Sequence, residues 1–487
     1  MAEPTNDNPT PPRPLVVDLD GTLVSTDTLH ELLLEVAGHH PLTLPRVLLG
    51  LLGGKAAFKQ AVARSAELDP EALPYRDEVL ALIREAKAEG RPVVLASASH
   101  RATVESVAAH IDLFDAALAS GAGNNLKGRA KLAAIRALLD ERGWGEAFDY
   151  VGDDQADLPI WAEAHTAYLV DVCDRIRRGV APTSEAIELV ERRSASALIE
   201  FARAARPYQW SKNLLLAVPL SASGQFGDRA IWLALVLSFV AFSLTASAVY
   251  LVNDLLDLRS DRLHPTKRHR PIAAGRLAPM IALLGAFALV AGSFTLSLAA
   301  LPPIFTQVLA VYLVTTTAYS LYIKGKVMLD VIWLACLYTL RIIAGGVAVG
   351  IVASEWLLGF TLFTFLSLAF AKRFCELRLM LSLGSEHAKG RGYRTDDLPL
   401  VQGMGIGAGY LAVLVFALYI TSDAVSMVYD QPQILWLACP LILYWMSRLW
   451  LFAHRGKLKG DPLLFALSDR ISYFCIALLA LVKTIAH

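Results

Sequence analysis

The sequence has few cysteines, few charges and no net charge. These features argue against a nucleic-acid-binding protein and against one held together by disulfides or by cysteine-bound metal. Only 18% of the 487 residues are charged and the formal net charge is zero, so bulk electrostatics do not indicate nucleic-acid binding. The five cysteines form no CxxC pair and no cysteine–histidine ligand spacing, so we interpret them as reduced and structural. The opening "MAEPTNDNPTPPRP" has no apolar run, which predicts a disordered tail over 1–12 and no secretory signal peptide.

Apolar residues are abundant instead, and they are concentrated after about Asn213. The chain is 55% hydrophobic with a mean hydropathy of +0.46, which is too apolar for one soluble globule. No segment alternates with the period of a membrane strand, so the apolar runs predict a helical bundle. We predict about nine transmembrane helices, over 213–225, 230–252, 279–300, 304–323, 328–350, 356–371, 404–422, 433–451 and 466–485.

The connections between these runs alternate in charge. Those at 253–277, 321–328, 372–402 and 452–462 are rich in lysine and arginine, and the intervening ones contain few basic residues. Basic connections stay in the cytoplasm, so we predict a multi-pass protein of the cell (inner or plasma) membrane. Its N-terminus and soluble half would be cytoplasmic and its C-terminus outside.

The first basic connection, "VNDLLDLRSD", also contains three regularly spaced aspartates. On one continuous helix Asp254, Asp257 and Asp261 would share a face, where three like charges favour a bound Mg²⁺. Lys267 and Arg270 follow in "HPTKRHRP" and could bind phosphate oxygens. The alternative is a solvated helix end of mixed charge.

This pattern resembles the first signature of the UbiA superfamily of membrane prenyltransferases, and the resemblance covers about residues 203–487. Four strings resemble its decaprenyl-phosphate 5-phosphoribosyltransferase branch: "RPYQWSKN", "DRLHPTKRHRPIAAG", "YSLYIKGKVMLDV" and "AKRFCEL". Where aromatic prenyltransferases carry a second DxxxD, this chain has Lys372, Arg373 and Glu376. Cations in place of carboxylates favour a donor with an additional phosphate.

The resemblance implies transfer of 5-phosphoribosyl from phosphoribosyl diphosphate to a polyprenyl (decaprenyl) phosphate. It assigns Mg²⁺ to the three aspartates of the first basic connection. The implied phosphate contacts are Lys267, Arg270, Lys324, Lys372, Arg373 and Arg391, and the implied substrate contacts are Lys212, Asn253, Asp330, Glu376 and Tyr393.

Before about Ser194, predicted strands and helices alternate, which indicates a parallel α/β sheet. Polar residues follow the predicted strands, at the sheet edge where ligands collect. They are Asp18, Asp20 and Thr22 in "DLDGT", then Ser97, Lys131, Asp153 and Asp157. Two carboxylates at i and i+2 can serve as nucleophile and general acid/base, a third completes a Mg²⁺ site, and a serine and a lysine neutralise a phosphoryl group.

This order of motifs resembles the haloacid dehalogenase (HAD) superfamily over about 13–175, with a small helical cap near 28–80. The resemblance implies that Asp18 is the nucleophile, Asp20 the acid/base, and Thr22, Ser97 and Lys131 phosphate contacts, with Lys127 the alternative to Lys131. It assigns Mg²⁺ to Asp18, Asp153 and the Asp20 carbonyl, supported by Asp157. We predict a Rossmann-like HAD domain with this cap over 13–175, a linker or interfacial helix over 176–205, and a membrane transferase domain over 206–487.

Three functional hypotheses follow. The leading one is a two-step enzyme with one Mg²⁺ site in each domain, in which the phosphatase removes the 5-phosphate of the lipid product. In the second, the bundle moves a prenyl group to an aromatic acceptor and the phosphatase has an unrelated substrate. In the third, the chain is a non-catalytic scaffold. The expected partners are polyprenyl phosphate, phosphoribosyl diphosphate and the membrane, with no nucleic acid and with a homo-oligomer left open.

Overall fold

The computed structural model describes residues 12–39, 43–121, 125–180, 185–190, 197–223, 226–382, 392–426, 428–458, 461–466 and 468–486. The chain divides into two compact units, one formed by 1–205 with 251–285 and the other by 206–250 with 286–487. Apart from Pro12, the predicted tail lies outside the described residues, and so does Arg391.

The first unit contains a six-stranded parallel sheet in the order β3-β2-β1-β4-β5-β6. The strands are β1 Leu15–Val17, β2 Val93–His100, β3 Ala116–Ser120, β4 Asp149–Gly152, β5 Thr166–Val170 and β6 Glu185–Val190. β1 is fully buried because helices cover both faces: Leu15 and Val17 pack into one apolar cluster and Val16 into another. The parallel α/β sheet predicted from the alternating pattern is confirmed.

The strand order reverses between β1 and β4, which is where open parallel sheets bind ligands. Val17 is paired with Val151, and the Asp18 N–H donates to the Val151 carbonyl at 3.0 Å. The register therefore brings the ends of both strands side by side, so that the residues after Val17 and after Gly152 meet.

Helices occupy the predicted cap region. They are Thr28–His39, Leu44–Leu49 and Gly54–Ser65, with a 3₁₀ turn over Gly50–Gly53. Leu32, Val36, Val47 and Val62 form their own small apolar cluster. The other helices of this unit are Asp77–Ala88, Arg101–Ile111, Arg129–Arg142, Leu158–Trp161, Asp174–Val180, Ala197–Ala204 and Leu258–Arg262.

The stretch 176–205 was predicted as a linker or interfacial helix, and a helix is wrong for the residues of β6. Glu185–Val190 is an edge strand parallel to β5, and a helix occupies Ala197–Ala204. Glutamate, alanine and leucine favour helices locally, but backbone pairing with β5 overrides that weak preference.

Seven helices in the described part of the chain are long and apolar enough to cross a membrane. They are Arg229–Leu256, Pro279–Ala300, Pro303–Ile323, Leu329–Val349, Glu355–Ser382, Thr395–Ile420 and Pro432–His454. The multi-pass helical bundle is confirmed, whereas nine spans are not. The predicted span 213–225 is a 3₁₀ helix, Pro207–Ala217, and a short helix, Val218–Ser223. The predicted span 466–485 is a 17-residue helix, Arg470–Ala486, about 26 Å long against a core of about 30 Å.

Small residues allow close packing in the second unit. A Cβ added at Gly405 would lie 2.1 Å from the Trp450 ring, and one at Gly409 would lie 2.6 Å from Met446 Cγ. Helix packing in membranes depends on such close approach. These contacts join helix Leu398–Ile420 to helix Ala438–His454.

Candidate active sites

The turn after β1 places the first candidate site. Gly21 has φ +78°, and a Cβ there would lie 2.0 Å from Asp153 Oδ2, so the turn requires glycine. The hydroxyl of Thr22 donates to Asp153 Oδ1 at 3.0 Å. The structure therefore brings Asp153 against the turn. Thr22 is fully buried and orients this carboxylate, and its contact with phosphate stays a prediction.

Three carboxylates converge at the strand ends. Oxygens of Asp18, Asp153 and Asp157 lie within 4.8 Å of one another, and no other group of acidic, histidine or cysteine residues in the described ranges does so. Lys131 Nζ is 2.9 Å from Asp18 Oδ2 and 3.6 Å from Asp157 Oδ1. Tyr150 Oη accepts from Lys131 Nζ at 3.1 Å and donates to Asp157 Oδ1 at 2.9 Å. The site therefore combines three carboxyl groups with one buried cation.

The pKa values indicate that this set of residues fits a divalent cation. Burial raises the pKa of Asp18 to about 7 despite Lys131, and burial followed by repulsion from Asp18 raises the pKa of Asp153 to about 8. Burial alone would lower the pKa of Lys131, but attraction to Asp18 and Asp157 outweighs it and raises that pKa. Crowded carboxylate oxygens are the ligands that Mg²⁺ prefers, so Asp18, Asp153 and Asp157 would hold it.

Asp20 points to a different set of partners. Its carboxylate accepts from the Thr28 N–H at 2.7 Å, from Ser99 Oγ at 2.6 Å and from Ser97 Oγ at 3.1 Å. Its side chain lies outside the converging set of carboxylates. Ser97, predicted to contact phosphate, is fully buried and bonded to Asp20. Ser99 was missed, although Ser97 and Ser99 alternate along β2 and share a face of it.

A cavity of about 390 Å³ opens above these residues. Besides the carboxylates and Lys131, its walls include His30 and Lys59 from the helices after β1, and Gly275 and Ala278 from the later part of the unit. Lys59 Nζ donates to the Ala98 carbonyl at 3.0 Å, which fixes this second cation at the cavity wall.

We expect Mg²⁺ binding at this site to release protons and to weaken as the pH falls. Metal ligands must be deprotonated, and the raised pKa values of Asp18 and Asp153, about 7 and about 8, leave them partly protonated in the metal-free protein near neutral pH. The apparent affinity should be at least about tenfold lower at pH 6 than at pH 8. Calorimetric titration in two buffers of different ionisation enthalpy measures both the affinity and the proton release.

The stability of the metal-free protein should change with pH in the opposite sense. The folded state binds these protons more tightly than the unfolded chain, whose aspartates have a pKa near 3.8, so stability should decrease as the pH rises from there towards 8. Mg²⁺ should therefore raise the melting temperature more at pH 8 than at pH 6. Asp154→Asn is the control, since Asp154 is exposed and pairs with Lys127 at 3.2 Å. A Mg²⁺ effect independent of pH would contradict the prediction.

The aspartate-rich connection departs from its predicted geometry. The long helix ends at Leu256 and a new one begins at Leu258, so Asp257 lies at the break. One continuous helix face for the three aspartates is therefore wrong. Arg270 Nη1 bridges the two buried aspartates, at 3.1 Å from Asp254 Oδ1 and in a short contact with Asp261 Oδ2. Lys267 Nζ is 3.8 Å from Asp261 Oδ1.

This bridge decides how the connection fits a metal ion. With the Arg270 guanidinium between Asp254 and Asp261, the three aspartates do not form a converging set of oxygens like that at β1. Burial, opposed by Arg270 and Lys267, raises the pKa of Asp261. A second Mg²⁺ site therefore stays a prediction. Asn253 is half-buried one residue before Asp254.

Several predicted transferase residues converge in the second unit, but on one another. Asp330 is fully buried and accepts from Arg373 Nε at 2.6 Å and from Tyr393 Oη at 2.7 Å. Arg373 also pairs with Glu376, and its Nη2 donates to Tyr319 Oη at 3.2 Å. Arg373 thus binds acceptors of the protein itself, and its contact with a phosphate stays a prediction.

A second cluster in this unit contains a residue that the sequence reasoning missed. Lys212 Nζ is 2.6 Å from Asp461 Oδ2, and Lys372 Nζ is 3.8 Å from the same atom. Burial alone would raise the pKa of Asp461, but the two lysines lower it. Asp461 is the only acidic residue in the basic string "RGKLKGDPLL", and this could have predicted that it pairs with a cation. Lys324 is half-buried at the end of a span.

Each half of the chain matches a family of known proteins. Residues 214–471 match the UbiA prenyltransferase family, and residues 15–161 match the haloacid dehalogenase-like hydrolases. The chain belongs to the UbiA prenyltransferase family. It carries a HAD-like hydrolase domain ahead of the transferase, as the motifs predicted. This UbiA-family protein is therefore a membrane transferase fused to a hydrolase.

One reported relative of this UbiA-family protein covers both halves, and another covers about half of the chain. An uncharacterized protein, y4nM, of Sinorhizobium fredii is 36% identical over 468 residues, which are 96% of this chain and 90% of that protein. Decaprenyl-phosphate phosphoribosyltransferase of Mycolicibacterium smegmatis is 34% identical over 275 residues, 55% of this chain and 86% of that protein. A UbiA homolog from Archaeoglobus fulgidus bound to DMAPP and Mg²⁺ is 18% identical, with a TM-score of 0.44 over 59% of this chain and 99% of that one.

Proposed function

We propose that the protein is a bifunctional membrane enzyme. The UbiA-type half transfers 5-phosphoribosyl from phosphoribosyl diphosphate to a polyprenyl phosphate such as decaprenyl phosphate. The HAD half then hydrolyses the 5-phosphate of that lipid. The observation that carries the hydrolase half is the convergence of Asp18, Lys131, Asp153 and Asp157 on one cavity. The phosphoribosyltransferase relative supports the choice of donor and acceptor.

The hydrolase step uses the two aspartates of "DLDGT" in different roles. A carboxylate oxygen of Asp18 attacks phosphorus, the ester P–O bond breaks, and the departing alkoxide takes a proton from Asp20. Water then attacks the aspartyl-phosphate, Asp20 recovers a proton, and inorganic phosphate leaves. Lys131, 2.9 Å from Asp18, neutralises the phosphoryl oxygens. When bound, Mg²⁺ would supply further charge neutralisation.

The transferase half needs cations more than a base, because its acceptor phosphate is already an anion. We infer that Lys267 and Arg270 bind the donor diphosphate, with Lys324, Lys372 and Arg391 at the remaining phosphates. The ion pairs of Arg270 with Asp254 and Asp261 support this role by holding the guanidinium in place until an anion competes for it. Lys212, Asn253, Asp330, Glu376 and Tyr393 position the substrates, and the three aspartates stay the candidate Mg²⁺ ligands.

We further infer that both sites face the cytoplasm. The basic connections support this orientation, which also places the C-terminus outside if all nine predicted spans cross. Fusion would hold the hydrolase beside the leaflet where its lipid substrate forms and so raise the effective concentration of that substrate.

A donor assay tests the transferase half. Membranes containing the protein are incubated with radiolabelled phosphoribosyl diphosphate or, separately, with a labelled prenyl diphosphate and an aromatic acceptor. We expect label in the lipid extract from the phosphoribosyl donor, and loss of that label in Asp254→Asn, which removes the charge of one of the two carboxylates paired with Arg270. Label from the prenyl donor alone would establish the aromatic prenyltransferase instead. If neither donor labels the lipid and an aryl phosphate is not hydrolysed, the non-catalytic scaffold is the hypothesis that remains.

A further inference from the structure

A buried ion pair in the first unit joins the aspartate-rich connection to the helix after β1. Arg262 Nη1 donates to Glu31 Oε2 at 2.9 Å, and Nη2 donates to Oε1 at 2.7 Å. The two side chains are only 8% and 9% exposed. Arg262 also donates from Nε to the Ala273 carbonyl at 3.1 Å and from Nη1 to the Ala72 carbonyl at 3.2 Å. A bidentate fork of this kind fixes both partners in direction as well as in distance.

Glu31 lies in the first turn of helix Thr28–His39, three residues after Thr28. The Thr28 N–H donates to Asp20 Oδ1 at 2.7 Å, and the Thr28 hydroxyl is 2.9 Å from Ser99 Oγ, which bonds to Asp20 Oδ2. Residues i and i+3 share one face of a helix, so a displacement of Glu31 also displaces Thr28, whose backbone N–H donates to Asp20. The carboxylate of Asp20 is thus positioned from the helix that Arg262 anchors.

A second route from Glu31 reaches the same turn. Thr26 Oγ1 donates to Glu31 Oε1 at 2.7 Å. The Thr26 carbonyl accepts from the N–H of Gly21, the residue after Asp20, at 3.2 Å. The backbone next to Asp20 and the carboxylate of Asp20 are therefore both held through Glu31.

The chain that follows Arg262 also forms part of the cavity wall, at Gly275 and Ala278. Gly275 has φ +68°, and a Cβ there would lie 2.1 Å from Ser25 Oγ. Ser25 belongs to the segment that leads from the "DLDGT" turn to Thr26. Arg262 therefore anchors both the positioning helix and one side of the cavity in which the acid acts.

We propose that Arg262 is a positioning residue of the phosphatase, whose bidentate pair with Glu31 aligns Asp20 to protonate the leaving group. This inference rests on the proposed role of Asp20 as general acid. Arg262 itself touches neither the substrate nor the reacting atoms. It extends the hydrolase machinery to a residue of the transferase's aspartate-rich connection.

The dependence on the leaving group separates positioning from simple loss of fold. Hydrolysis of ribose 5-phosphate expels an alkoxide, which needs a proton, whereas p-nitrophenyl phosphate expels a stable phenolate, which needs little help. A misaligned acid therefore slows formation of the aspartyl-phosphate from the first substrate more than from the second, whereas the later hydrolysis of the aspartyl-phosphate is the same for both. Partial unfolding slows both by the same factor, because it removes active enzyme.

The test uses the full-length protein in detergent with Mg²⁺. Arg262→Lys keeps the charge but replaces the fork with one point charge. Because Asp20 also acts when water hydrolyses the aspartyl-phosphate, a step common to both substrates, the rate to compare is that of the first turnover, measured by rapid quench. We expect this rate to fall about tenfold with ribose 5-phosphate and less than about threefold with p-nitrophenyl phosphate, since general acids contribute about 10²–10⁴-fold. Arg259→Lys is the matched control, because Arg259 lies in the same short helix and its side chain, paired with Asp69 at 2.5 Å, is 60% exposed. It should behave as wild type.

Equal losses on both substrates, no loss on either, or the same difference between the substrates in Arg259→Lys would overturn the proposal. Asp20→Asn calibrates the assay. With Arg262 intact, it should show a larger difference than Arg262→Lys between the rate loss on ribose 5-phosphate and the rate loss on p-nitrophenyl phosphate, and this difference is called the split. If Asp20→Asn shows no split, the general-acid role itself fails, which is distinguishable from failure of Arg262 alone. If Arg262→Lys does not fold, Glu31→Gln weakens the same pair from the other side and should give the same split.

Discussion

Asp18→Asn is expected to lower phosphate release from a phosphomonoester by at least about a thousandfold, because the amide cannot act as the nucleophile. Transfer of phosphoribosyl to the lipid should persist, so the phosphorylated lipid should accumulate. Phosphate release and thin-layer separation of the labelled lipids, from one reaction mixture, measure both effects.

The stability of the Asp18→Asn protein distinguishes loss of the nucleophile from unfolding as the cause of inactivity. Burial raises the pKa of Asp18 to about 7 even though Lys131 lies 2.9 Å away, so removing its charge removes a net desolvation cost in the metal-free protein at pH 8. We expect the Asp18→Asn protein without Mg²⁺ to be at least as stable as wild type at pH 8, which excludes unfolding as the cause of inactivity. Asp154→Asn is the matched control and should retain hydrolysis. Undiminished phosphate release from the lipid in Asp18→Asn would refute the nucleophile assignment.

Arg373→Met is expected to have the largest effect in the membrane half. Arg373 is the buried cation beside the fully buried Asp330, which would lose its 2.6 Å partner. Removing one member of a buried pair destabilises a protein by about 3–5 kcal/mol. We expect a lower melting temperature in detergent and loss of transfer, with hydrolysis of p-nitrophenyl phosphate retained below the melting transition.

Two further variants test the cause of that loss. Arg378→Met removes a charge from the same helix, Glu355–Ser382, at a half-buried position, and should change the melting temperature little. Arg373→Met combined with Asp330→Leu removes both buried charges and should recover part of the stability without restoring transfer. A single Arg373→Met protein with wild-type stability and transfer would show that this network is dispensable.

The hydrolase site could be predicted well from the sequence because its parts follow buried strands. In a parallel sheet the strand ends lie at one edge, so Asp18 after β1 and Asp153 after β4 were expected at the same edge, and the pairing of β1 with β4 makes them neighbours. Charge alone left both Lys127 and Lys131 as candidates and the resemblance to HAD hydrolases favoured Lys131, which lies 2.9 Å from Asp18, whereas Lys127 pairs with Asp154. Ser97 and Ser99 lie two residues apart in β2, so their side chains share one face of the strand, and this spacing could have predicted Ser99 as well.

Other features depended on contacts that local sequence does not encode. The break at Asp257 interrupts a helix whose apolar and acidic periodicity continues through it. The pairing of Asp461 with Lys212 joins residues 249 positions apart, and no spacing rule connects them. The strand β6 exists because β5 offers a free edge, although its composition favours a helix.

The grouping of 251–285 with the N-terminal half has an evolutionary consequence. Arg259, Arg262 and Arg276 pair with Asp69, Glu31 and Glu200, so three acidic residues of the hydrolase half depend on cations encoded far downstream. If the gene were split after Ala205, the hydrolase product would retain the buried Glu31 without Arg262, and the buried Glu200 with Arg203 but without Arg276. We therefore expect lineages in which the two halves separate to have replaced these acidic residues. Recombination that exchanged one half between distant relatives would select for compensating changes at the same positions.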